Sequence, residues 1–219
     1  MIELVYGGSG SGKSEFAEKL ILDSECENRF YIATMKIFDD EGKKRVERHR
    51  KLRGNKNFIT IEETNESRNL EDAIEKIKKM SSSKNLEDSF GLGGGKSSEK
   101  KKSAVLVECL SNLLANEMFL PGGKIVSSSD AAGKVISGLK RLFSAGNFIS
   151  EIVLVSNNIF DDGLDYDEAT KSYMEALAKI NAFAAKNADK VFEVVAGIAL
   201  EISGTPVIPN SFRNLQKRP

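Results

Sequence analysis

Residues Gly7, Gly8, Ser9, Gly10, Ser11, Gly12, Lys13 and Ser14 satisfy the spacing G-x-x-x-x-G-K-[S/T]. Glycines let such a loop wrap so that successive backbone N–H groups point inward at phosphate oxygens. A helix opening near Lys13 adds the positive end of its dipole. Lys13 has the reach to touch the β- and γ-phosphates of a nucleoside triphosphate, and the Ser14 hydroxyl suits a Mg2+ ion. A plain Gly/Ser-rich turn is the alternative, but it leaves the Gly-Lys-Ser triplet and the strand–loop–helix context unexplained. A phosphate loop also needs an acidic residue at the end of a neighbouring strand to hold the metal or its water. Glu108 follows the apolar run Ala104-Val105-Leu106-Val107 directly. That is the sheet edge where open α/β proteins bind ligands. Cys109 beside it reads as a small core residue rather than a nucleophile.

A second group surrounds the single histidine, in the stretch DDEGKKRVERHRKLR. Arg45, His49 and Arg53 fall at i, i+4 and i+8, along one face of a helix predicted over residues 39–53 with Asp39 as its cap. Neighbouring arginines bias an imidazole toward its neutral, nucleophilic form, and guanidinium groups grip phosphates. The residues are consistent with a phosphoryl- or nucleotidyl-histidine. Taken alone, they fit better a solvated, charged helix face that carries one histidine.

The elements that must position these groups alternate in type. IELVYGG is a buried strand breaking into the glycine loop, and SEFAEKLILDS has helical spacing. RFYIATM and FITIEE read as strands, and NLEDAIEKIKKM as an amphipathic helix with Leu70, Ala73, Ile74 and Ile77 on one face. AVLVECL is a strand followed by a helix, GGKIVSSSD a polar loop, residues 131–143 a helix, and EIVLVSNN a strand. A long helix over 168–188 and a final strand or hairpin in KVFEVVAGIALEI complete the pattern. Strands alternating with helices predict an α/β fold, a phosphate-loop NTPase-like, mainly parallel sheet flanked by helices. Residues 1–204 are expected to form one domain. Residues 81–102, rich in Ser, Gly and Lys, read as a flexible insertion, and 205–219 as a C-terminal tail.

The 219 residues carry 32 basic and 32 acidic side chains. A balanced charge argues against nucleic acid as the partner. Cys26 and Cys109 form no CxxC pair, which predicts no disulfide framework and a reducing compartment. Without an apolar run of membrane-spanning length or a basic-then-apolar leader, the expectation is a cytoplasmic protein that does not insert into a membrane.

The segments VYGGSGSGKSEFAE, YIATMKIFDDEGKKRVERHRKLR, VLVECLSNLLANEMF, IVLVSNNIFDDG and INAFAAKNADKVFEVVAGIALEI occur in this order. Together they resemble the bifunctional adenosylcobinamide kinase/adenosylcobinamide-phosphate guanylyltransferase family. The resemblance implies phosphorylation of adenosylcobinamide by a nucleoside triphosphate, ATP or GTP, with Mg2+. It then implies GMP transfer from GTP to that phosphate through a guanylylated histidine, in cobalamin nucleotide-loop assembly by a homotrimer. His49 stands at the family's histidine, Arg45 and Arg53 at its arginines, Gly7, Gly12, Lys13 and Ser14 at its phosphate loop, and Glu108 at its acidic strand end. The chain departs from the pattern at Asn157-Asn158-Ile159-Phe160, where the family carries Asn-Glu-Val-Gly. It departs again at Met174 and Ala178, in place of Arg and Gly, and at Asn181-Ala182, in place of Asn-Gln. A monofunctional small-molecule kinase and a nucleotide-binding regulator without turnover are the two other readings the residues leave open.

Overall fold

The computed structural model describes residues 1–35, 47, 54, 56–62, 70–87, 102–160 and 163–202. His49, Arg45, Arg53 and the C-terminal tail lie outside the described residues. Seven strands form one sheet: β1 (Ile2–Gly7), β2 (Asn28–Ala33), β3 (Ile59–Glu62), β4 (Ser103–Glu108), β5 (Glu151–Asn157), β6 (Lys190–Val195) and β7 (Ile198–Glu201). Their order is β3-β2-β4-β5-β1-β6-β7, and only the β6–β7 pair is antiparallel. The described helices are α1 (Lys13–Leu22), α2 (Leu70–Glu87), α3 (Leu110–Met118), α4 (Ser128–Phe143) and α5 (Glu168–Asn187).

Side chains alternate across a strand with a period of two, and the apolar runs of the central strands serve both faces. Leu4, Phe30, Ile32, Val105, Val107 and Leu154 point into a core with residues of α2, α3, α4 and α5. Val5, Tyr31, Leu106, Val153 and Val155 point into a second core with Ala17 and Ile21 of α1. A parallel sheet covered on both faces needs such continuous apolar strands, which explains why AVLV and IVLV lack a polar alternation.

Two boundaries differ from the sequence expectation. α2 continues to Glu87, through the first residues of the segment read as an insertion. No Gly or Pro interrupts residues 81–87 to stop it. α4 begins at Ser128, so the end of the expected loop GGKIVSSSD belongs to the helix. Ser127 caps it by accepting the Asp130 N–H at 3.1 Å.

Parallel strands deliver their C-terminal ends to one edge. Register places Gly7 beside Asn157 and Val194, and Ala33 beside Glu108. After β1 the chain crosses to β2, three places away, and after β5 it returns to the opposite side of β1. The crevice at this reversal holds the glycine loop, as ligand sites in open α/β sheets do.

Candidate active site

The glycine loop runs from the end of β1 into α1. Gly12 precedes the helix with φ 90°, and no side chain caps the first turn, so its N–H groups face the loop. Lys13 is buried and folds back across the loop, its Nζ donating to Gly8 O at 2.9 Å. Burial, opposed by charge from Cys109 and Glu108, holds Lys13 below the ordinary lysine range. A phosphate arriving beside it would supply the missing counter-charge.

Ser14 and Glu108, 94 positions apart, meet at this edge: the Ser14 hydroxyl donates to Glu108 Oε1. The other carboxylate oxygen accepts from Tyr31 Oη at 3.0 Å. Beneath them Thr34, fully buried at the end of β2, donates to Glu108 O at 2.7 Å and accepts the Cys109 N–H at 2.7 Å. Asn116 of α3 donates to Thr34 O at 2.8 Å. The carboxylate is therefore fixed on both its oxygens and through its backbone. Hard oxygen donors, one hydroxyl and one carboxylate, suit Mg2+, which fills its other positions with water and substrate phosphates. Among the described residues no cluster of three or more His, Cys, Asp or Glu could hold a metal alone.

The free, buried Cys109 faces inward, with Sγ 3.0 Å from Ser111 Oγ. Burial raises its thiol above the ordinary range, so the thiolate nucleophile is disfavoured. Asn157, at the end of β5, donates to Ser111 Oγ at 2.6 Å. Tyr173 of α5 donates to Ser111 O at 2.9 Å, and burial pushes its hydroxyl up to about 12. These contacts tie α3, β5 and α5 together.

From the other side the β6–β7 turn clasps the loop. Gly197 N–H donates to Ser11 O at 2.8 Å. A Cβ at Gly12 would come within 3.3 Å of Gly197 Cα. Gly197 itself turns with φ +81°, a conformation side-chain-bearing residues adopt at a cost.

A cleft of about 510 Å³ opens beside the loop. Gly8 forms its loop wall and Asn158 and Ile159 its β5 wall. Tyr166, Thr170, Tyr173 and Met174 complete it from the α5 side.

The sequence expectations thus converge for Gly7 to Ser14 and Glu108, which share one edge. Tyr31, Thr34, Asn157 and Gly197 were not anticipated. A tyrosine in a strand looks like core, and no local signal ties Gly197 to a loop nearly two hundred residues away.

The family model described as cobinamide kinase / cobinamide phosphate guanyltransferase matches residues 3–93 and 84–202. The chain belongs to this family. The bifunctional adenosylcobalamin biosynthesis protein CobU of Escherichia coli (strain K12) is 27% identical over 209 residues, covering 92% of this chain and 99% of that protein. CobU of Salmonella typhimurium is 27% identical over 207 residues, with 92% and 99% covered. The corresponding CobP of Pseudomonas aeruginosa is 24% identical over 208 residues, with 94% and 100% covered. Among solved structures, an ATPase from the type III secretion system of pathogenic bacteria superposes with TM-score 0.51 at 11% identity. It covers 97% of this chain, which spans 60% of that one, and establishes the phosphate-loop fold alone. Family membership makes the chain a transferase with a nucleotide-binding phosphate loop. Among the described residues no helix is long and apolar enough to cross a membrane.

Proposed function

We propose that the protein is a cytoplasmic enzyme that phosphorylates adenosylcobinamide and then transfers GMP from GTP to the new phosphate. The convergence of Lys13, Ser14 and Glu108 at the mouth of the glycine loop supports the nucleotide part. Family membership supports the acceptor.

In the kinase step the loop amides and Lys13 hold the triphosphate and neutralise its oxygens. Catalysis comes from positioning and charge compensation rather than from a covalent intermediate. Ser14 and Glu108 would hold Mg2+, which when bound supplies charge neutralisation across the phosphate oxygens. Tyr31 and Thr34 keep the Glu108 carboxylate aimed at that position. The acceptor hydroxyl attacks the γ-phosphorus, and the nucleoside diphosphate leaves.

In the transfer step His49 attacks the α-phosphorus of GTP and pyrophosphate departs. The phosphate of adenosylcobinamide phosphate then attacks the guanylyl phosphorus and releases the histidine. Arg45 and Arg53 stabilise the charge that develops. Trimeric assembly belongs to the same proposal and is read by light scattering after size-exclusion chromatography.

The decisive test of the histidine is incubation with GTP labelled at the α-phosphate. Acid-labile label on the wild type, absent from His49→Ala, is expected. Wild type that takes up no label removes the transfer step and leaves a monofunctional kinase.

A further inference from the structure

Ser14 and Glu108, the two oxygen donors of the cation site, come from different elements, α1 and the end of β4. Their separation depends on what holds α1 against the sheet and what holds the carboxylate in its plane. One short segment touches the supports of both. Lys56 and Phe58 stand just before β3, with Asn57 between them at φ 53°. Asparagine accepts this left-handed backbone more readily than most residues, so the chain turns here instead of extending β3 backward.

Lys56 Nζ donates to Glu18 Oε2 at 2.5 Å. The Glu18 side chain is only 5% exposed, and a buried carboxylate stripped of its cation is costly, so this contact is firmly held. Ser14 and Glu18 are four residues apart on α1, and side chains at that spacing share a helix face. Lys56 therefore grips α1 one turn beyond the hydroxyl donor. Phe58, half-buried, makes a T-shaped contact with Tyr31, ring centroids 5.7 Å apart at 77°. Tyr31 is buried, and its hydroxyl donates to Glu108 Oε2 at 3.0 Å. That is the long end for an O–H···O bond, so the ring has little room to tilt before the contact is lost. The hydroxyl sits at the far end of the side chain, where a tilt moves it most. Removing the Phe58 ring would open a void beside Tyr31 and grant that tilt.

We propose that Lys56 and Phe58 are positioning residues for the metal–triphosphate complex, Lys56 acting through Glu18 on Ser14 and Phe58 acting through Tyr31 on Glu108. One turn of chain thus braces both cation donors. The proposal rests on the reading of Ser14 and Glu108 as the cation site and adds two residues outside that donor set.

The test is calorimetric titration with a non-hydrolysable ATP analogue, once with Mg2+ and once with EDTA, so that no turnover is involved. The ratio of the two dissociation constants reads the cation site alone. Wild type is expected to bind the analogue more tightly with Mg2+. Phe58→Ala and Lys56→Met are each expected to cut that gain by about 10-fold, the scale on which groups behind a metal ligand act, while affinity in EDTA holds. Lys56→Arg should restore most of the gain. Phe58→Ala placed in a Tyr31→Phe background should cut it no further, because Phe58 acts through the Tyr31 hydroxyl. The two arms are independent, so either serves if the other variant fails to fold. An unchanged ratio in the folded variants overturns the proposal, and so does an equal loss with Mg2+ and with EDTA, which marks a merely structural role. A full further loss in the Tyr31→Phe background overturns the route through Tyr31. If wild type itself gains nothing from Mg2+, the cation reading of Ser14 and Glu108 falls instead, and the two failures are told apart.

Discussion

Gly7→Ala is the sharpest perturbation of the loop. Gly7 pairs with Val194 across the β1–β6 ladder. An added Cβ would lie 2.5 Å from Val194 O and 2.8 Å from Ser11 Oγ. The serine hydroxyl can rotate away, but the carbonyl belongs to a strand. Carbon and oxygen settle at about 3.3 Å or more, so the strands must part by roughly 0.8 Å. Overpacking of this kind costs about 1–3 kcal/mol. The displaced strand carries the turn whose Gly197 N–H holds Ser11 O at 2.8 Å, so the shift reaches the phosphate loop. Urea denaturation is expected to show the lost stability, and calorimetric titration with ATP an affinity reduced by about 10-fold, the equivalent of 1.4 kcal/mol. Gly8→Ala is the internal control. Its Cβ meets nothing within 4 Å, so its stability should stay within about 0.5 kcal/mol of wild type. If Gly7→Ala matches Gly8→Ala in stability and binds ATP as wild type does, the account of the loop's support is wrong.

Glu108→Gln keeps the shape and the contact with Ser14 but loses the charge, and should raise the Mg2+ concentration for half-maximal transfer by about 10–100-fold; an unchanged Mg2+ titration would remove Glu108 from the metal site. Gly197→Ala has open space but φ +81°, so it should cost about 1–2 kcal/mol from the backbone alone, read as a lowered Tm. The folded state holds Lys13 below the ordinary 10.5, so in that window it binds fewer protons than the unfolded chain. Stability should therefore rise with pH from the lowered value toward 10.5 while triphosphate affinity falls, and Lys13→Met should abolish both slopes. Tyr173→Phe leaves the buried Ser111 carbonyl without this donor and should cost about 1–3 kcal/mol in urea denaturation; no loss would show that α5 is held without it.

Much of the architecture was legible because apolar runs and glycine breaks are local signals. The runs at 104–107 and 152–155 announced buried parallel strands, and the glycine spacing announced both the loop and the helix after it. Ser127 was missed as a cap because a run of serines resembles a loop until one of them faces an N–H. Glu108 was legible from its place after an apolar strand. What holds it was not. Tyr31 is 77 positions away and Thr34 is 74, and only the β2–β4 register brings them to the carboxylate. The cleft was illegible for the same reason: Gly8, Asn158 and Met174 share it only because β1 and β5 are neighbours and α5 packs over them.

The most direct measurement of the central claim is mass spectrometry of adenosylcobinamide after incubation with the protein, GTP and Mg2+. One product heavier by a phosphate and a second heavier by a further GMP are expected. Unmodified adenosylcobinamide beside bound or hydrolysed GTP would contradict it.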